Sequence, residues 1–498
     1  MIYNITKYNA HWETQKLRRL GDFSRGKSKH RPRNDSILYD GGGYPFIQTG
    51  QIKATELYID NHVQEYNEVG LLQSKLWKEG TLAITIAANI AETGIISYPM
   101  CFPDSVVGFV ANPIKTSELY MHYIFAFIRT SIQKSVGGSI QDNINIDYLE
   151  NLNFKIPDKR IQDNIVAVLS SLDRKIALNN AINAELESTA RLLYDYWFTQ
   201  FDFPDANGKP YKSSGGAMVW NEQLKREIPE GWIVKRLGSL GNFQNGVNYS
   251  KDEDGCTRAK IVNVRDISSS STFIDIEKCD SLSLYSRVVD RFTLSPDDLL
   301  IARSGIPGSV RLIFDTPNKV IYCGFSIRFN LVNKKLRNYI FFALKNIETS
   351  TTKRSTGSIL KNVSQDTLRD YAVSLPQDEI IEKFNIALEP LFHGMIGRVK
   401  ENKELTTLRD FLLPLLMNGQ VTIAEADVAA PEAEAEAPVI SVKQAKNKFK
   451  PKPQQTKPSG FDDARYEEWK LEIGVAARGD MDEQTLKNIY EAMDEDDR

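Results

Sequence analysis

Apolar residues between Ile165 and Leu193 recur at alternating steps of four and three: Ile165, Leu169, Leu172, Ile176, Leu186, Ala190 and Leu193. That spacing is the seam of a heptad helix. The same ladder returns 219 residues later as Phe384, Leu388, Leu391, Met395, Leu405 and Leu412, with no insertion or deletion between its first and last rungs. The pattern predicts two matched long helices. Polar residues interrupt both seams, Asn179 and Asn183 in the first, Arg398 and Asn402 in the second. Polar seam residues weaken packing but fix register and orientation. A helix of roughly 29 residues is about 43 Å long, and each Leu or Ile buried on its seam contributes roughly 1.5–3 kcal/mol. Such a pair has the makings of a rigid spacer.

The matching extends into what precedes each helix. Trp12, Leu17, Leu20, Gly21, Phe23 and Gly26 reappear as Trp232, Leu237, Leu240, Gly241, Phe243 and Gly246, all displaced by 220. Ile47–Ile52 aligns with Val262–Ile267, apolar at the ends and polar between, and Gly80–Ile84 aligns with Asp297–Ile301. Gly138, Ser139, Ile140, Asn143, Asp147, Leu149 and Pro157 match Gly357, Ser358, Ile359, Asn362, Asp366, Leu368 and Pro376, all at 219. The chain is an internal tandem repeat.

Each half reads as an α+β globule followed by one long helix. Strand-like runs (Leu82–Ile86, Ile95–Tyr98, Leu299–Ala302, Val320–Phe329) alternate with helical ones (Leu119–Ile132, Asn338–Ile347). Pro157 and Pro376 mark the passage from globule to helix, because the residue before a proline is pushed out of the α region. The expected boundaries are a first globule over 1–157, a helix over 158–200, a connector over 201–229 rich in Gly, Pro, Ser and Asp with no core of its own, a second globule over 230–376 and a second helix over 377–420. Residues 421–460 are Ala/Glu/Pro low complexity followed by a basic Pro/Gln stretch, an extended linker. Residues 461–498 form an acidic tail with two short helices, the second opened by Asp480 with Glu483 at capping-box spacing.

Composition narrows the function. The chain has 498 residues, 41% of them hydrophobic, and a net charge of −3. The average hides an uneven distribution: residues 421–498 carry 11 Lys+Arg against 18 Asp+Glu, leaving +4 for residues 1–420, a mildly basic body compatible with DNA. There is no apolar run of the ~20 residues a membrane span needs and no signal-peptide pattern, so the expected location is the cytoplasm, with no membrane partner. Cys101, Cys256, Cys279 and Cys323 show no metal-ligand spacing, and the five histidines stand singly, so no metal site is expected. No Gly-rich phosphate loop or dinucleotide motif occurs. Asn112-Pro113-Ile114-Lys115 lacks the second proline and the aromatic of an amino-methyltransferase loop, and no Pro-Asp pair is followed within 30 residues by the Glu-x-Lys of metal-dependent nucleases. The chain is therefore expected to be no enzyme in its own right and to hold no cofactor.

What remains is polar chemistry on matched loops. Arg25, Lys27, Lys29, His30, Arg31 and Arg33 surround Gly26, a basic loop of the kind that meets phosphates. Its copy after Gly246 carries Asn248, Tyr249 and Lys251. Gln48, Thr49, Gln51 and Lys53 stand against Asn263 and Arg265, side chains suited to bidentate contacts with base edges in the major groove. Arg303 and Arg311 follow, then Gln141 and Asn143 in the first half facing Lys353, Arg354, Lys361 and Asn362 in the second.

With these pieces in order, the chain resembles the specificity subunit of type I restriction–modification systems. The resemblance rests on the repeated Trp-x4-Leu-x2-Leu-Gly openings, the Gly-Ser-Ile-x-x-Asn loops leading to Pro157 and Pro376, the Leu193–Phe198 segment running into Phe201-Asp202-Phe203, and Ile228-Pro229-Glu230-Gly231-Trp232. It covers about residues 5–420 and leaves the tail unassigned. It implies two target-recognition domains, each reading one half of a bipartite asymmetric double-stranded DNA sequence, held apart by an antiparallel pair of long helices. It also implies partners: two modification subunits that bind S-adenosylmethionine and methylate adenine, and restriction subunits that use ATP and Mg. The competing reading is a tandem-repeat scaffold that binds only proteins.

Overall fold

The computed structural model describes residues 4–55, 57–136, 144, 146–249, 255–314, 319–354 and 363–423. These fall into two compact units: the first holds the described residues up to Asn179 and from Lys400 on, the second holds Asn180–Val399. Each unit thus contains one globule and one half of each long helix.

The first unit is built on a five-stranded sheet ordered Gly21–Arg25, Val106–Ala111, Leu82–Thr85, Thr93–Ile96, Tyr58–Ile59. The near-continuous apolar run of Leu82–Thr85 is buried along its whole length, as expected of a central strand. The helix Glu118–Val136 contributes Tyr120, Met121, Ile124 and Phe125 to the same core. A second sheet, Gln64–Tyr66, Tyr44–Phe46, Met100–Cys101, Leu76–Trp77, stands beside it. Glu13–Lys16 pairs antiparallel with Asn153–Ile156, closing the globule where the chain leaves for the long helix.

The second unit repeats this plan. Gly241–Asn245, Ser326–Leu331, Leu299–Ala302 and Val310–Leu312 form a sheet in the same order as the first four strands above. Registers agree as well: Phe23 faces Phe109, which faces Leu82, while Phe243 faces Phe329, which faces Leu299. Arg337–Arg354 covers the sheet, and Ile233–Arg236 pairs with Ala372–Leu375 as the closing ribbon. Thr257–Val262 runs parallel to Val320–Tyr322, the counterpart of Tyr44–Phe46 beside Met100–Cys101.

The seam positions line an antiparallel helix pair. The first long helix is Lys159–Tyr194, 36 residues, and the second Asp378–Met417, 40 residues. In the first unit, Asp173 meets Arg409 and Asn179 meets Glu401 and Asn402. In the second, the Asn183 amide donates to the Met395 carbonyl and Leu186 lies beside Gly394. Partner numbers fall as helix numbers rise, the signature of antiparallel pairing. Ile165, Leu169, Ile176, Phe384, Leu388 and Met395 are buried, and Leu172, Leu186, Leu391, Leu405 and Leu412 are half-buried. Asn179 is 1% exposed and spends its amide on Glu401 Oε2 (2.7 Å) and Asn402 Oδ1 (2.8 Å), a cross-helix bond that penalises a slipped register. Arg398 donates along its own helix to the Gly394 carbonyl, 3.0 Å.

Two segments differ from expectation. The connector after Thr199 is more structured than a turn-rich linker: Phe201 and Phe203 pack on Trp232, Ile228 joins the same core of the second unit, and Met218–Asn221 pairs with Arg226–Pro229 as a hairpin. Its Gly and Pro residues serve turns, while its few aromatics anchor it to the second unit's core. The run Val320–Phe329 is two strands, Val320–Tyr322 and Ser326–Leu331, broken by a turn in which the Ser326 amide donates to the Cys323 carbonyl, 2.9 Å. The linker and tail from residue 424 on lie outside the described residues. Among those described, no helix is long and apolar enough to cross a membrane and no His/Cys/Asp/Glu group could hold a metal ion. Burial pushes the Cys101 thiol up to about 11 and Cys279 to about 12, as befits thiols that pack.

Candidate nucleic-acid interface

In the second unit, the turn Cys323-Gly324-Phe325-Ser326 gathers the loops that the sequence singled out. The Val247 amide donates to the Tyr322 carbonyl and the Gly324 amide to the Val247 carbonyl, so the loop after Gly246 is stitched to this turn. A side chain at 324 would strike Asn248 Oδ1 at 1.9 Å, so glycine there makes room for the asparagine. The Arg303 guanidinium donates to the Gly324 carbonyl, 3.1 Å, and its amide to the Phe325 carbonyl, 2.9 Å. Tyr249 donates to Asn263 Oδ1 at 3.1 Å, bringing in the helix Val264–Ser269. Asn248, Tyr249, Asn263 and Arg303 are thus one cluster, and Phe325, 63% exposed, stands in it.

The first unit builds the equivalent turn from Pro103-Asp104-Ser105-Val106. The Ile86 amide donates to the Ser105 carbonyl as the Arg303 amide does to Phe325, both at 2.9 Å. Here the turn carries an acid. Asp104 accepts from Arg33 at 2.7 Å and lies 4.0 Å from Arg31. The basic loop is further held by Gln73, whose side-chain oxygen accepts from the backbone amides of Lys29 and His30, and by the hydrogen bond between His30 Nε2 and Asp35 Oδ2 at 2.8 Å. Hydrogen bonding to His30 holds the Asp35 carboxyl below its usual range. Arg25, Lys27, Lys29, Arg31 and Arg33 are all exposed, a cationic loop pinned by its backbone with its heads in solvent. Lys75 sits 3.4 Å from the Trp77 ring centre and burial lowers its pKa, Lys27 adding to the effect.

Other candidates have partners within the fold. Gln48 and Gln51 form a reciprocal capping box on the helix Thr49–Ala54, and Asn263 with Asp266 does the same for Val264–Ser269. Gln48 also donates to Gln64 at 2.7 Å, Lys53 to Asn89 at 3.2 Å, and Arg265 is paired with Asp280. Thr49 opens its helix, half-buried. Arg311 is a correction. It is 4% exposed, donates to the Ser270 carbonyl and pairs with Glu348 at 3.1 Å, bracing strand to helix rather than facing a ligand. Burial pushes the Glu348 carboxyl up, but Arg311 and Lys345 outweigh it and hold it below its usual range. Lys353 and Arg354 fall in the last turn of Arg337–Arg354, whereas Gln141, Asn143, Lys251, Lys361 and Asn362 lie outside the described residues. The described chain resumes at Ile144, bonded to the Ile86 carbonyl, and at Val363, bonded to the Arg303 carbonyl. Sequence reasoning missed Asp104 as a partner of the basic loop and Phe325, which lay inside the strand-like run Val320–Phe329.

Two copies of one loop scaffold, each presenting a different polar and charged surface at the same sheet end, define a duplicated recognition module. The chain belongs to the family described as type I restriction modification DNA specificity domain, which matches it twice, over residues 10–188 and 229–404. Among curated relatives, the type I restriction enzyme MjaIX specificity subunit of Methanocaldococcus jannaschii is 26% identical over 436 residues, 85% of this chain and 96% of the relative. The HindI specificity subunit of Haemophilus influenzae is 22% identical over 333 residues, 56% and 71% of the two chains. Among solved structures, a type I restriction–modification S subunit from M. genitalium matches with a TM-score of 0.48 and 16% identity, covering 84% of this chain and 99% of that one.

Proposed function

We propose that this chain reads a bipartite, asymmetric DNA target, one half-site per unit, and leaves methylation and cleavage to associated modification and restriction subunits. The observation that carries this is the matched turn: one backbone in both units, but Asp104-Ser105 beneath a cationic loop in the first and Gly324-Phe325 among Asn248 and Arg303 in the second. Two unlike surfaces on one scaffold suit two unlike half-sites. Cationic side chains supply affinity for phosphates, and amide, guanidinium and aromatic groups supply discrimination between bases.

The helix pair serves as spacer and as docking platform for the modification subunits. A 36-residue helix is about 54 Å long, enough for half-sites a turn of B-DNA, about 34 Å, or more apart. S-adenosylmethionine then belongs to the modification subunits, and ATP and Mg to the restriction subunits. The test is a titration of the assembled methyltransferase, at physiological salt, with its methylated target duplex and a scrambled one. A specific-to-scrambled ratio of about 10³ or more is expected; equal affinities would leave only a protein-binding scaffold.

A further inference from the structure

Phe325 is a large apolar side chain, 63% exposed, on a backbone with little freedom. Its carbonyl accepts from the Arg303 amide, its turn is closed by the Ser326 amide on the Cys323 carbonyl, and the Gly246 amide donates to the Ser326 carbonyl. Leaving a phenyl ring in water forgoes roughly 1.5–3 kcal/mol of burial, and a single exposed apolar residue is by itself unremarkable. Its company is what distinguishes it. On one side the Arg303 guanidinium rests on the Gly324 carbonyl, and the glycine also leaves room for the Asn248 amide. The ring therefore stands on a rigid turn, on the residue next to a glycine that meets two groups able to hydrogen-bond base edges. The matched position in the first unit is Ser105, beside Asp104, and offers no apolar surface.

We propose that Phe325 is a specificity-determining residue that makes an apolar contact with one base of the second unit's half-site. The inference rests on the reading that this unit binds DNA. The chemistry fits two faces of a base: the C5-methyl of thymine in the major groove, or the π-face of a base at an opened step. In either case discrimination is local to one base pair, whereas the phosphate-binding term is shared by all sequences.

The test uses the assembled methyltransferase and its target duplex. Phe325→Ala is expected to weaken target binding by about 10-fold to 100-fold while leaving scrambled-duplex affinity and the salt dependence unchanged. Phe325→Trp is expected to retain most of the affinity. Duplexes in which each second-half thymine is replaced singly by uracil, or each second-half adenine by 2-aminopurine, then locate the contact. A uracil that weakens wild type but not Phe325→Ala identifies the methyl; 2-aminopurine that brightens on binding wild type but not the variant identifies the base face. Target affinity for Phe325→Ala within twofold of wild type, or a loss spread equally over target and scrambled duplex, overturns the proposal. Absence of any specific-to-scrambled ratio in the wild type would instead overturn the DNA-reading function itself, so the two failures are distinguishable.

Discussion

The turn before the strand Val106–Ala111 and the turn before Ser326–Leu331 share a backbone and almost nothing else. In the first unit, Asp104 draws Arg33 and Arg31 to itself; in the second, Gly324 yields its space to Asn248 and Phe325 stands free. The neighbouring loop repeats the lesson. Ala91 donates to the Thr85 carbonyl and Gly308 to the Ala302 carbonyl, while the Thr85 amide finds Glu92 and the Ala302 amide finds Ser309. Ala88 and Ala91 have φ of 62°, where the second unit has Gly305 at 76° and Gly308 at 88°. Duplication has kept the hydrogen-bond skeleton at the cost of left-handed alanines in one copy. At these loops, divergence falls on what the skeleton displays.

The core shows the same economy with charge. Glu348 on the covering helix pairs with Arg311 on the strand in the second unit; in the first, the helix supplies Arg129 and Glu92 lies beside the strand, 2.9 Å away. The brace is kept and its polarity is reversed. Arg311 is 5% exposed in its side chain and Arg129 31%, so the two should respond unequally. Arg311→Ala is expected to destabilise the second unit by about 2–3 kcal/mol through lost buried packing and loss of its pair with Glu348, which Ser309 and Lys345 still contact, and Arg129→Ala to cost about 1 kcal/mol or less. Chemical denaturation of the full chain measures both; equal losses would break the comparison.

Next in size are the left-handed positions. Gly308→Ala is expected to cost about 1–2 kcal/mol from backbone strain alone, since its nearest neighbour, Val363, would lie 3.9 Å from the new Cβ. Gly305→Ala should cost more, because the Cβ would also crowd Val264 at 2.9 Å. Ala88→Gly and Ala91→Gly should be neutral or stabilising by up to about 1 kcal/mol. Destabilisation by the glycine substitutions would contradict the equivalence of the loops.

The most gradual effect concerns pH. His122 is buried against Thr93, 3.0 Å away, and burial, aided by Arg129 and Arg409, pushes its pKa down to about 3. The second unit places Phe341 and Val310 at the matching positions. Folded His122 is neutral, whereas unfolded it gains a proton below about pH 6.5. Stability of the first unit is therefore unaffected above that pH and falls as pH drops from there towards 3, by at most about 1.4 kcal/mol per unit. Hydrogen exchange, corrected for intrinsic rates, should show Glu118–Val136 losing protection between pH 6.5 and 5 relative to Arg337–Arg354. His122→Phe should remove the difference; persistence of the slope in that variant would assign it elsewhere.

The helix pair and the duplication were legible in the chain because both are written in apolar spacing, and burial of seam residues such as Ile165 and Phe384 follows from that spacing. Individual site roles were less so. Gln48, Gln51 and Asn263 look like base readers from residue type alone, yet each caps a short helix, a function set by where the helix begins. Arg311 in a polar-looking loop sequence is interior because its strand is covered by a helix from 37 residues downstream. Phe325 was hidden inside a run that reads as one strand until the turn at Cys323 divides it.

The central claim is that the two units read separate half-sites on a common scaffold. Replacing residues 1–157 with the first domain of another specificity subunit, and mapping methylated adenines across a genome expressing the chimera, tests it directly. A target altered in one half and unchanged in the other is the predicted result; alteration of both halves would contradict it.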